Sequence, residues 1–226
     1  MSQRAITLAA NKYARMWIDL EQGLVSGLCA ADRATRLSTL QRSAGQFRIA
    51  RNFPTRFDVD RGIPRLDPVL VILDTLPARL RADRLFEIVD VTSQRLATAY
   101  GRTGLLSATT KLLWLKHRGP VIIYDSQVRA ALGVRAGDYP AYVRRWRALY
   151  SRHAVGIRSA ASRIRIPGVP AKREWFRKRV FDLYLWAQGA PHDCTRLAVP
   201  NPRCSCRALM SRAPLRCGST LAISGT

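Results

Sequence analysis

Apolar residues in this chain recur at intervals of three and four. Ile6, Ala9, Ala10, Tyr13, Trp17, Leu20 and Leu24 form the first such stripe. That spacing lines up one face of a helix, whereas a half-buried strand needs strict alternation. The pattern returns from Asp83 to Tyr100, where Leu85, Ile88, Val89, Leu96 and Ala99 share a side. It returns again from Ala171 to Gln188, where Trp175, Phe176, Val180, Phe181, Tyr184 and Leu185 interleave with charges and Gly189 supplies a stop. Further helices are predicted over Asp32 to Arg51, Asp67 to Leu76, Ser107 to His117, from Asp125 to a pause at Gly133–Gly137, and Pro140 to Arg152. Asn52 to Pro68, with three prolines and a glycine, reads as a loop. The expected fold class is therefore all-α, a compact helical domain over residues 1–189.

Residues 190–226 have a different character. They contain no Phe, Trp or Tyr, four prolines and four of the five cysteines, so they cannot supply a buried helical face. An irregular, disordered tail is the expectation. His192, Cys194, Cys204, Cys206 and Cys217 lack the C-x-x-C pairs that preorganise zinc and the spacing that holds an iron–sulfur cluster, so no metal or other cofactor is expected. No apolar run reaches the ~18 residues of a membrane span and no signal peptide opens the chain, which predicts a cytoplasmic protein without a membrane partner.

Charge narrows the choice of partner. The chain carries 38 Lys and Arg against 15 Asp and Glu, a formal net charge of +23. A field of that sign attracts polyanions, nucleic acid first and anionic membrane second. Arginine provides nearly all of it, and guanidinium groups grip phosphate in pairs of hydrogen bonds and stack on bases. The excess is concentrated, since Arg129 to Arg179 holds fourteen basic residues against only Asp138 and Glu174. Arg144, Arg145, Arg147 and Arg152 alternate there with Tyr142, Trp146 and Tyr150. A solvated helix face would ordinarily intersperse acids four residues away, so this stretch is read as a phosphate-tracking surface.

One short segment raises a chemical question. In GRTGLLSATTKLLWLKHRGPVIIYDSQVRAAL, an unbroken apolar run, Val121 to Tyr124, ends at Asp125 where a helix begins. Asp125 there can cap the helix through the amides of Gln127 or Val128, and Ser107 can cap the helix before it. The order of glycine turn, helix, extended apolar segment and Asp also resembles the helix-hairpin-helix DNA glycosylase superfamily. Gly104 falls on that family's first hairpin glycine, Leu106 replaces its second, Thr109 and Thr110 fall on its T-A pair, and Asp125 falls on its catalytic carboxylate. Ala108 occupies the place of the lysine nucleophile of bifunctional members, with Lys111 one helical turn further on.

That resemblance implies a DNA N-glycosylase acting on a modified or damaged base, monofunctional and working in DNA repair or phage defence. Asp125 would be catalytic, with Lys111 reaching the same cleft. Gly104, Ser107, Thr109, Arg129, Arg144, Arg145, Arg147 and Arg152 would hold duplex DNA, and Tyr124, Trp114 and His117 would meet the extruded base or pack in the core, as large aromatics usually do. Cleaving an N-glycosidic bond builds positive charge on the sugar, which a carboxylate stabilises. A non-enzymatic basic helical DNA-binding protein is the alternative on the same residues.

Overall fold

A computed structural model describes residues 2–58 and 60–189. The tail read as irregular, with its cysteines, lies outside the described residues. Within them the architecture is all-α, with one two-strand hairpin in a loop.

The first stripe becomes α1 (Gln3–Met16), a π-helical turn (Trp17–Glu21) and α2 (Gln22–Leu28) in one continuous rod. α1 buries Ile6, Ala9, Ala10, Tyr13 and Ala14. α3 (Arg33–Gln46) follows, capped by Asp32, whose carboxylate accepts from the Thr35 amide at 2.7 Å. The proline-rich loop holds the strands β1 (Arg56–Asp58) and β2 (Ile63–Pro64), paired antiparallel. Next come α4 (Asp67–Asp74), α5 (Leu85–Tyr100) and α6 (Leu106–Lys116). Gly101 and Gly104 make the tight connection from α5 to α6 with φ of 58° and 72°, a region open to glycine at little cost. α5 and α6 pack on each other as a pair of consecutive helices.

Three helices complete the body: α7 (Ser126–Leu132), α8 (Tyr139–Ser162) and α9 (Glu174–Gly189). α9 lies against α7, α8 and α1. Its buried Phe176 meets Tyr13 with ring centroids 4.7 Å apart, and Phe181 meets Trp146 at 5.0 Å. α8 continues ten residues past its predicted end at Arg152. Gly156 does not stop it, because there the missing side chain admits α1: a Cβ would sit 2.8 Å from Gln3 Oε1, and Gln3 donates to the Gly156 carbonyl at 3.1 Å. Gly189 is likewise a site of close approach, since a Cβ on it would lie 1.8 Å from the Gln127 carbonyl oxygen of α7. Among the described residues no helix is long and apolar enough to cross a membrane.

Candidate functional site

Position 125 is set by an extended segment that belongs to no sheet. Val121, Ile122, Ile123 and Tyr124 are all buried, so their backbone groups need partners from elsewhere. Side chains provide them. The Tyr124 amide donates to Thr110 Oγ1 at 3.0 Å, Tyr139 donates to the Ile122 carbonyl at 2.8 Å, and Tyr142 donates to the Ile123 carbonyl at 2.7 Å. The segment is thereby fastened to α6 on one side and α8 on the other. Asp125 emerges from it at the start of α7.

Two tasks fall to its carboxylate together. Oδ1 accepts from the Gln127 amide at 3.0 Å, which caps α7. Oδ2 lies 3.2 Å from Lys111 Nζ, with 19% and 14% of the two side chains exposed. Capping was expected from sequence and Lys111 was expected only to reach the same cleft; a single rotamer of Asp125 both caps the helix and pairs with Lys111. Lys111 Nζ also donates to the Phe47 carbonyl at 3.4 Å, tying the end of α3 to the pair.

The residue after Phe47 shows no signal in the sequence. Arg48 has φ of 54°, the one non-glycine residue with a positive φ among those described, and it is exposed. It ends α3 where its amide donates to the Gly45 carbonyl and the Ile49 amide to the Ala44 carbonyl, a position that glycine usually fills. A strained arginine thus adjoins the carbonyl that Lys111 touches.

Behind the pair lies a buried charged cluster. Arg179 bonds Asp182 and stands 3.6 Å from Glu21, its guanidinium over the faces of Trp114 and Phe47 at 5.4 and 5.9 Å. Burial opposes its charge, but Glu21 and Asp182 outweigh burial and hold it ionised. Burial pushes the Asp182 carboxyl up to about 6 against the pull of Arg179, and the negative charge of Asp125 adds to the rise. Burial also raises Glu21. Both Glu21 oxygens, Tyr13 Oη, Asp182 Oδ1 and Trp146 Nε1 lack a hydrogen-bond partner of ordinary geometry, although they lie close enough to affect one another's ionisation. A cavity of about 10 Å³ adjoins Asp182, Arg179 and Trp146, room for roughly one water molecule.

Several expected roles need correction. Trp114 (3% exposed), His117 (7%) and Tyr124 (8%) are packed into the core and do not line an open base pocket. Trp114 is held by Phe47 and Arg179, and Tyr124 by Tyr142, with ring centroids 4.9 Å apart. Thr109 is wholly buried and bonds the Leu105 carbonyl at 3.0 Å, so it cannot reach DNA. Ser107 caps nothing: Leu105 is the cap residue of α6, without a side-chain bond.

The basic residues divide in two. Arg129 donates to the Val134 carbonyl at 2.9 Å and Arg145 to the Leu132 carbonyl at 2.7 Å, so both close the C-terminal end of α7. Arg144, Arg147 and Arg152 are exposed on α8, and Gly104 is exposed at the hairpin. No carboxylate among the described residues pairs with these arginines. Nor is any group of three His, Cys, Asp or Glu residues among them arranged to hold a metal.

No protein-family model, curated protein or solved structure matches the chain.

Proposed function

We propose that the protein is a DNA N-glycosylase of the helix-hairpin-helix type, with Asp125 as its catalytic carboxylate. The observation that carries this reading is the Lys111–Asp125 pair, 3.2 Å apart and partly exposed, with Lys111 on the helix that follows a glycine turn. In the reaction, the bond between C1′ and the base nitrogen breaks and the base leaves with a proton. The carboxylate stabilises the positive charge that develops on the sugar and orients the water whose oxygen adds at C1′. Lys111 is the counter-ion that fixes the carboxylate between its two partners. Arg144, Arg147 and Arg152 grip phosphate, and the hairpin amides beside Gly104 add a second hold.

The buried Trp114, Tyr124 and His117 favour the second reading, a DNA-binding protein that cleaves nothing. An extruded base has no chamber among those three side chains, so a glycosylase would need the α3 end at Arg48 to move aside. The two readings separate in one assay. Purified protein is incubated with duplexes carrying a panel of modified bases, and abasic sites are scored. The glycosylase reading expects abasic sites from at least one duplex, with a loss of 100-fold or more in Asp125→Asn. No product on any duplex leaves only the binding protein, and full activity in Asp125→Asn removes Asp125 from the catalytic role proposed for it.

A further inference from the structure

A second concave site lies at the other end of α6, against the π-helical turn. It is an open groove of about 440 Å³ whose walls include Trp17, Gln22, Ser26, Arg118, Arg173 and Trp175. That size falls within the roughly 300–1,000 Å³ of small-molecule sites.

Its centre is a guanidinium held by two indoles. Arg118 lies over the rings of Trp175 and Trp17, 5.0 and 5.7 Å from their centroids, and the two indoles meet at 4.9 Å with a 52° tilt. Because the two ring centroids are no farther from each other than from the guanidinium, both indoles lie to one side of it, and recognition of a ligand falls to its N–H edge. No hydrogen-bond acceptor and no carboxylate within pairing distance engages Arg118 among the described residues, and its Nη1 is buried without a partner. A charged donor kept out of water with nothing to bond is costly, and an arginine edge matches the paired oxygens of a phosphate. Arg173, exposed on the rim, adds a second positive charge, so the groove is complementary to an anion.

The aromatic half of the site is equally well fixed. Trp17 is 6% exposed and donates through Nε1 to the Gly168 carbonyl at 3.3 Å, so its ring is locked, while Trp175 is half-buried in the groove wall. The π turn brings Trp17 and Gln22 to the same wall. The Gln22 amide bonds the Trp17 carbonyl, five residues back, whereas in an α-helix those two residues would point about 140° apart. Such turns cost regular hydrogen bonding and recur at functional sites.

We infer that this groove binds a nucleoside phosphate, its phosphate on the edges of Arg118 and Arg173 and its base stacked on Trp175. The ligand is either a free nucleotide or an unpaired nucleotide of a strand, since both present the same chemistry. The inference does not depend on Asp125 and stands apart from base excision.

The test uses the full chain and the four deoxynucleoside 5′-monophosphates, inorganic phosphate and a short single-stranded oligonucleotide, with tryptophan fluorescence and calorimetry as readouts. A deoxynucleoside monophosphate or the oligonucleotide should quench fluorescence and bind at least tenfold more tightly than inorganic phosphate. Arg118→Gln and the surface variant Arg173→Gln should each weaken that binding several-fold while keeping the wild-type circular dichroism, and Asp125→Asn should bind as wild type. Saturation by the free monophosphate identifies a free nucleotide as the ligand, and saturation by the oligonucleotide alone identifies a strand. Absence of binding by all probes, binding by inorganic phosphate as tight as by the nucleotides, or unchanged binding in both arginine variants would overturn the inference.

Discussion

Arg48 holds a backbone conformation that glycine would adopt at lower cost. Its left-handed backbone costs about 1 kcal/mol relative to glycine, since an L side chain crowds the following carbonyl there. Arg48→Gly should therefore raise the urea midpoint while weakening DNA binding or base excision; a variant that is both more stable and fully active would make the strain incidental. His117 marks a second exposed weakness. Burial, aided by the Lys116 charge, lowers it from an ordinary value near 6.5 to about 4, so the fold holds it neutral. A depressed histidine favours the folded state above the unfolded pKa, and that advantage disappears as pH falls from 6.5 through 4. Asp182 acts with the opposite sign, because a raised carboxyl pKa makes the folded state gain as pH falls from about 6 toward 4. Comparing His117→Gln with wild type removes this second contribution. Wild type should lose on the order of 2 kcal/mol relative to the variant across that window, measured by urea melts; parallel pH profiles would refute it.

Between α6 and α7, the extended segment depends on side chains in place of a sheet. Tyr142→Phe removes one hydroxyl and leaves the Ile123 carbonyl buried and unpaired, which should cost about 1–3 kcal/mol in a denaturant melt. A cost below 0.5 kcal/mol would mean that this bond does not fasten the segment. Such elements also show how far the sequence could be read. The helices were legible because their stripes at three- and four-residue spacing are what burial requires, and Asp125 was legible as a cap because its place before Ser126 is local. Lys111 was placed one turn from the family's lysine, and its side chain reaches Asp125. Trp114, Tyr124 and His117 were open in the sequence to both packing and base contact, because an aromatic residue in the core and one beside a pocket carry the same local signal, and the structure has all three buried. Arg48 left no trace, since nothing local marks an arginine that takes a glycine's conformation. The last ten residues of α8 were not predicted, and Gly156 among them is where Gln3 of α1 rests.

Across the whole molecule, the proposed DNA binding makes the exposed arginines of α8 the groups that would set its response to salt. Each phosphate contact contributes about 0.9 to the slope of log affinity against log salt on duplex DNA. Replacing Arg144, Arg147 and Arg152 with glutamine should flatten that slope by about 3, with little change in thermal stability because these side chains pair with no carboxylate among the described residues. An unchanged slope would put the DNA on another face. The body is also assembled around a phase offset. α1 runs through the π turn into α2, so its stripe meets α8 and α9 at one angle while α2 continues at another. Each residue advances an α-helix by about 100°, and the wide turn absorbs the mismatch that one additional residue creates. Excising that one residue would let the rod continue as a regular α-helix with Ile6, Ala10 and Tyr13 still facing the core, but would part the wall that Trp17 and Gln22 share. The turn therefore works as a vernier between the two halves of the rod, and the opening of the Trp17 groove is governed by its five residues.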